Sequence, residues 1–490
     1  MVALRQRATQ ALSTSGESKP ITDNLVSPTK PFSAEASDNA KQALSNGQPA
    51  DGHPWVTRQD ALRGQLDRLG WSSKEGDASK APRVVIQDVE KSHGEFVTRT
   101  AVGPHTLAQG AETYLDFDND AQPETKKSMF SDKTMAISDS VNTREGKRFS
   151  QNLSFEEIGA LAADSRISSQ MTRAAQLREI REGRPKDDRS TLANMSWGLS
   201  PAREMDNGLK DFKSWGTKKT PSAEFMRKNF TTYNDATRIL GHPPRFIEPP
   251  GAQPFLHPDD ESALVREMRN GYDARLKNPE YQAANSEAQS VLQSEVEAAR
   301  KDKILVFQAA GNDQEIADRL GDPKLAKFPS SDVDGLAVVS NMEVSGSGHT
   351  NDAMARNSAP GDFAFEGTNI PVGTGHVEGP DGSAPRPTYK EVSGTSLSSP
   401  GALATAYAML KNNPALPLDR IEGTLKDSRA TYDLIGDRDS AGVVDPFAAI
   451  VLAKAPNASA ETIEKVRALA NSTLPPDEIR KGLIALGIQP

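Results

Sequence analysis

The chain has 490 residues, of which 36% are hydrophobic, with 36 Gly, 33 Pro, no Cys and a formal net charge of −9. The lack of Cys excludes disulfides, thiolate metal sites and a cysteine nucleophile, and the acidic balance argues against nucleic acid as the main partner, which needs clustered Lys and Arg. The length allows one large core with appendages, and the modest apolar content concentrates that core in part of the chain.

Residues 1–55 are rich in Ser, Thr, Pro, Asn, Gln and Ala, with few aromatic or β-branched residues. Such a composition offers little apolar area to offset ordering entropy, so a disordered arm is expected over 1–55, either an effector-like export tail or a plain one, then a connecting segment over 56–80. Met1 to Lys19 contains Arg5 and Arg7 but no apolar signal core, and no stretch reaches transmembrane length. The expectation is a water-soluble chain without a membrane span, cytoplasmic or exported by a non-Sec route.

From Arg83 the texture changes. Val84-Val85-Ile86 is a continuous apolar run of the kind found in strands buried on both faces, and similar runs recur at Leu192 to Met195, Ile304 to Phe307 and Leu336 to Val339. Between the second and third, Ala288, Val291, Leu292, Val296 and Ala299 fall at helical spacing over Ser286 to Arg300, with Asn285 or Ser286 as the cap. Helix and strand in alternation predict an α/β fold of three layers, a mainly parallel central sheet flanked by helices. The core domain is expected over 81–455, with helical or polar insertions near 103–149 and 199–285. Ile463, Val466 and Leu469, then Ile479, Leu483 and Leu486, predict a C-terminal helical extension over 456–490, packed on the core or docked to a partner.

The chemistry concentrates in four places. Ser393-Gly394-Thr395-Ser396-Leu397-Ser398-Ser399-Pro400 leads into the Ala-rich run Ala402 to Leu410, so Ser396 is expected where a helix begins, beside unpaired N–H groups and the positive end of the dipole. Alone, it reads equally as a helix cap. Ala309-Ala310-Gly311-Asn312 ends a predicted strand, where Gly-Asn is also ordinary turn chemistry. Of seven histidines, His93 stands in Ser92-His93-Gly94-Glu95-Phe96-Val97, and Asp88 ends the first predicted strand, Val84 to Gln87. Glu90 is the weaker rival for a carboxylate role.

In this order, Asp, His and Ser, these motifs resemble the subtilisin-like serine peptidases. The resemblance implies that Ser396 is the nucleophile, His93 the general base, Asp88 the residue that orients the base, and Asn312 the oxyanion donor. Asn194-Met195-Ser196-Trp197-Gly198 is similar to the family's peptide-pairing strand, which implies a substrate pocket lined by Ser196, Trp197, Gly198, Ala309, Ala310 and Gly311. Phe328-Pro329-Ser330, Ala359-Pro360-Gly361 and Gly442-Val443-Val444-Asp445-Pro446 follow in the family order.

One departure stands out: only Val89 to Ser92 separate Asp88 from His93. That is still a normal βα loop length, but it removes a segment in which relatives often place a calcium ligand. The acidic run Asp116 to Asp120 fails the EF-hand pattern, with Ala121 where Gly is needed and Lys127 in place of the bidentate Glu, and reads as a solvated turn. No metal site is expected, no cofactor is required, and calcium has no recognisable site. The expected function is a serine endopeptidase acting on protein or peptide substrates through an acyl-enzyme; the alternatives are a catalytically impaired subtilisin-like protein serving as a binding module or effector, and an esterase or ligase.

Overall fold

A computed structural model describes residues 30–45, 52–71, 80–88, 91–117, 123–149, 152–217, 230–249, 255–343, 353–377, 386–429 and 442–489. Residues 1–29 and 46–51 of the expected arm, residues 72–79 of the connecting segment, Glu90, and residues 118–120 of the acidic run lie outside them.

Among the described residues the main sheet has seven strands: β1 Arg83–Gln87, β2 Thr113–Asp116, β3 Thr191–Met195, β6 Ile304–Ala309, β7 Ala337–Glu343, β8 Ala353–Met354 and β9 Phe363–Glu366. Their order is β2-β1-β3-β6-β7-β8, with β9 also pairing with β7, and every pairing is parallel except β7 with β8. Two hairpins stand apart, β4 Phe246–Ile247 with β5 Phe255–Leu256 and β10 Ile370–Val377 with β11 Arg386–Val392.

The four apolar runs form β1, β3, β6 and β7 because their side chains meet protein on both faces. Val85, Ala193, Met195, Val306 and Val338 point into one core, which is shared with the helices Phe155–Gly183, Pro258–Leu276 and Pro279–Lys301. Val84, Ile86, Leu192, Leu305, Phe307 and Val339, alternating with them, point into a second core with the helices Thr395–Asn412 and Pro446–Ala453. The result is the expected three-layer α/β architecture.

Several boundaries differ from those read in the sequence. The arm expected to lack structure contains the helix Ala34–Ser45, and residues 56–68 of the connecting segment lie in the helix Pro54–Arg68. Ala36, Ala40 and Ala43 are buried, Arg99 Nε donates to the Ala43 carbonyl at 2.6 Å, and Leu66 and Leu69 join the second core. A few well-placed small and apolar residues suffice where average composition suggests none.

The 103–149 stretch is more than an insertion, since β2 within it extends the sheet beside β1. The 199–285 stretch supplies the helices Pro201–Thr217, Thr231–Leu240 and Pro258–Leu276. The helix expected from Ser286 begins at Pro279, where Asn278 Oδ1 accepts from the N–H groups of Glu280 and Tyr281, so neither Asn285 nor Ser286 is its cap. The C-terminal helices Ala460–Ala470 and Pro476–Ala485 lay Val466, Ile479 and Leu483 on the second core.

Helix Phe155–Gly183, absent from the sequence reading, crosses helix Pro258–Leu276 in backbone contact. A Cβ on Gly159 would overlap the Met268 carbonyl oxygen, and one on Gly271 would overlap that of Glu156. Gly159→Ala should therefore force the pair apart and lower stability by about 1–3 kcal/mol. Urea unfolding measures this, and an unchanged midpoint would contradict the close crossing.

Candidate active site

The site is assembled by topology. β1, β3 and β6 are adjacent and parallel, with Gln87, Met195 and Gln308 in one row of the register. The residues that follow, Asp88, Ser196 and Ala309 to Asn312, consequently emerge side by side at the carboxyl edge of the sheet. The chain leaves β1 outward to β2 and returns inward to β3, and such a switch in strand order opens a crevice at that edge.

Asp88 follows β1 directly, and its side chain is 0% exposed. Its Oδ2 lies 2.7 Å from Nδ1 of His93, in the first turn of the helix Lys91–Val102. A Cβ at Gly94 would stand only 3.0 Å from the Asp88 Cβ, so a glycine there allows the helix to start this close to the strand. Facing a carboxylate, Nδ1 acts as the donor, and Nε2 is left as the nitrogen that can exchange a proton elsewhere. The short Asp-His loop thus preserves the pair.

Ser396 is the second residue of the helix Thr395–Asn412 and is 9% exposed. Its backbone is tied to β3 by a buried chain of polar groups. The Ser196 hydroxyl donates to the Ser396 carbonyl at 2.9 Å, Asn194 Nδ2 donates to Ser196 Oγ at 2.6 Å, and the Ser399 hydroxyl donates to Asn194 Oδ1 at 2.7 Å.

β6 is tied to the same helix start. Asn312 Oδ1 accepts from the Thr395 N–H at 2.9 Å and from its hydroxyl at 3.2 Å, while the Gly311 N–H donates to Thr395 Oγ1 at 3.2 Å. The Asn312 amide and the serine both border Gly394: the position of a Cβ there is 3.1 Å from Asn312 Nδ2, 3.4 Å from Asn312 Oδ1 and 3.4 Å from Ser396 Oγ. The Ser396 hydroxyl and the Asn312 amide therefore border one small space, while the N–H groups of Thr395, Leu397 and Ser398 bond Asn312 Oδ1 and the Gly394 carbonyl.

The two helices of the site also pack together. Phe96, one turn beyond His93, and Leu397, adjacent to Ser396, share an apolar cluster with Trp55, Val56, Ile370 and Val372. The helix Pro54–Arg68 thereby braces both functional helices from behind.

The remaining predicted site residues line this edge. Ser196, Ala309, Ala310 and Gly311 are buried, and Trp197 and Gly198 are half-buried. Gly311 adopts φ +117°, a conformation that favours glycine. Behind Trp197 lies Arg173, 3% exposed, whose Nη2 donates to the Trp197 carbonyl at 2.8 Å and whose guanidinium sits 5.0 Å from the indole centroid. Burial pushes its pKa down to about 9, against the opposing pull of Asp88. Asn194, Thr395 and Ser399 stand within the motifs read from sequence but had no role there, and Arg173 gave no local signal at all. Among the described residues no group of three or more His, Asp or Glu side chains is arranged to hold a metal ion. Nor is any helix among them long and apolar enough to cross a membrane.

Replacing Asn194 with Ala removes the acceptor of the buried Ser399 hydroxyl and one anchor of the Ser396 turn. It should cost about 1–3 kcal/mol in urea unfolding; wild-type stability would contradict the anchoring role.

The family model described as the subtilase family matches residues 160–474. The match includes Ser196, Asn312 and Ser396 and starts after Asp88 and His93. No curated protein matches the chain. Solved structures with partial likeness include a protease from Pseudoalteromonas arctica, at 23% identity over 34% of this chain and 47% of that one with a TM-score of 0.25. Another is fervidolysin from Fervidobacterium pennivorans, a keratinolytic enzyme related to subtilisin, at 18% identity over 33% and 24% with a TM-score of 0.25. A cold adapted subtilisin-like serine proteinase has 18% identity over 34% and 58%, with a TM-score of 0.22. The chain spans about half or less of the length of the first two. The sequence match covers well over half of the chain, which therefore belongs to the subtilase family of serine peptidases.

Proposed function

We propose that the protein is a serine endopeptidase that cleaves extended protein segments through an acyl-enzyme. The observation that carries this reading is the 2.7 Å contact of Asp88 with His93, on the sheet edge where Ser396 and Asn312 flank one space. A substrate strand lies beside Met195 to Gly198, with backbone pairing for affinity. His93 Nε2 takes the Ser396 proton as Oγ attacks the carbonyl carbon. The oxyanion then accepts from Asn312 Nδ2 and the Ser396 N–H. His93 next gives its proton to the leaving nitrogen, the C–N bond breaks, and the acyl-enzyme remains. Water repeats the sequence: His93 takes a proton from it, the hydroxyl attacks the ester, and Ser396 regains its proton as the acid leaves.

Asp88 holds the imidazole tautomer and stabilises the imidazolium formed in each half-reaction. All proton transfers in this scheme use side chains of the chain itself, with no step through a metal. The binding-module alternative supposes that the short Asp-His loop misaligns the triad, and the contact between Asp88 and His93 weighs against it for that half of the triad.

Ser396→Ala should abolish labelling by a fluorophosphonate probe and cleavage of casein while leaving the fold intact; persistent labelling of that variant would refute the nucleophile assignment. Asn312→Leu should retain labelling but lower kcat on the order of 10²- to 10³-fold, the range that subtilisin itself defines for such a donor. Because His93 must begin neutral, the rate should fall on acidification as the imidazole takes up a proton. A rate that stays flat through the histidine range would rule out His93 as the base.

A further inference from the structure

The edge between β3 and β6 holds an aromatic ring that the proposed chemistry does not use. Phe328 precedes the short 3-10 helix Pro329–Asp332 and is 5% exposed. A Cβ on Gly198 would stand 2.8 Å from Cγ and Cδ2 of its ring, and one on Gly311 would stand 3.3 Å from Cε1 and 3.5 Å from Cδ1. One ring thus touches both backbone segments and spans the gap between them. It is held from behind, since its carbonyl accepts from the Ser331 N–H at 2.9 Å and Gln170 Nε2 reaches the next carbonyl, that of Pro329, at 3.4 Å. Arg173, on the same helix as Gln170, fastens the Trp197 carbonyl one residue before Gly198.

A peptide strand beside Met195 to Gly198, with its scissile carbonyl at Ser396 and Asn312, directs the side chain before that bond between residues 196–198 and 309–311. We propose that Phe328 fills the depth of this space and restricts the enzyme to substrates with glycine, alanine or serine before the scissile bond. The inference rests on the peptidase reading and adds a substrate class to it. A leucine or phenylalanine side chain would need the volume that the ring occupies, and close-packed surroundings do not yield it cheaply. Gly198 follows from the same arrangement, because a Cβ there would meet the ring first, whereas one on Gly311 would meet the Ala326 carbonyl oxygen at 2.9 Å before the ring at 3.3 Å.

Incubation of the full chain with a peptide library, with cleavage sites read by mass spectrometry, tests the inference without a variant. Wild type should cut after glycine, alanine and serine, with kcat/KM for an alanyl substrate at least about tenfold above that for the matched leucyl or phenylalanyl one. Phe328→Ala should shift the ratio toward the large residues by about tenfold or more, and Phe328→Leu, which keeps more of the apolar volume, should shift it in the same direction to a smaller degree. Wild type that labels at Ser396 yet favours leucine or phenylalanine overturns the inference alone, as does an unchanged preference in both variants. Wild type that cleaves no peptide overturns the peptidase reading and this inference with it.

Discussion

The parallel pairing of β1, β3 and β6 is the constraint on which the rest of the molecule depends. In a parallel sheet adjacent strands end at the same edge, so one row of register, Gln87 with Met195 with Gln308, sets the level at which three separate loops leave the core. That level is fixed by burial. Val84, Val85 and Ile86 alternate between two different apolar cores, and a slip of one residue would exchange every one of them. The position of Asp88 relative to Ser196 and Asn312 is therefore a consequence of hydrophobic packing well below the site.

Above the sheet, polar groups take over the positioning. The start of helix Thr395–Asn412 is fastened to β3 through Asn194, Ser196 and Ser399 and to β6 through Thr395, Gly311 and Asn312. These groups are largely buried, where an unpaired donor or acceptor is costly, so the network has one satisfied arrangement and holds the helix start to it. The helix Lys91–Val102 is braced instead by apolar contact through Phe96, to which the N-terminal helix Pro54–Arg68 contributes Trp55 and Val56. Residues far before the sheet in sequence thus become part of the frame around His93.

What the sequence revealed follows from how local each cause is. β1, β3, β6 and β7 are legible because strands buried on both faces read as unbroken apolar runs. β2 is not, since Thr113-Tyr114-Leu115-Asp116 at the sheet edge needs few apolar residues. Helix Phe155–Gly183 escapes pattern reading because it buries Asp164, Gln170, Arg173 and Gln176 along with its apolar residues, leaving no clean stripe. The helix Ala34–Ser45 does carry alanines at helical spacing, but its average composition masks them. Asp88, His93, Asn312 and Ser396, the residues of the proposed mechanism, stand in short motifs that a sequence shows directly. The Arg173 contact with Trp197 and the Phe328 ring between Gly198 and Gly311 join residues distant in sequence, and only the folded chain brings them together.

The central claim is that the Asp88–His93 pair converges on one reacting carbonyl with Ser396 and with Asn312, which is fastened to the adjacent Thr395. A crystal structure of the protein inactivated by an organophosphonate tests it most directly, because the adduct mimics the tetrahedral oxyanion. The account predicts phosphorus on Ser396 Oγ, one phosphonyl oxygen within hydrogen-bond distance of Asn312 Nδ2, and His93 Nε2 beside the adduct with Nδ1 still on Asp88. An adduct on another residue, or an imidazole rotated away from the phosphonylated serine, would contradict it.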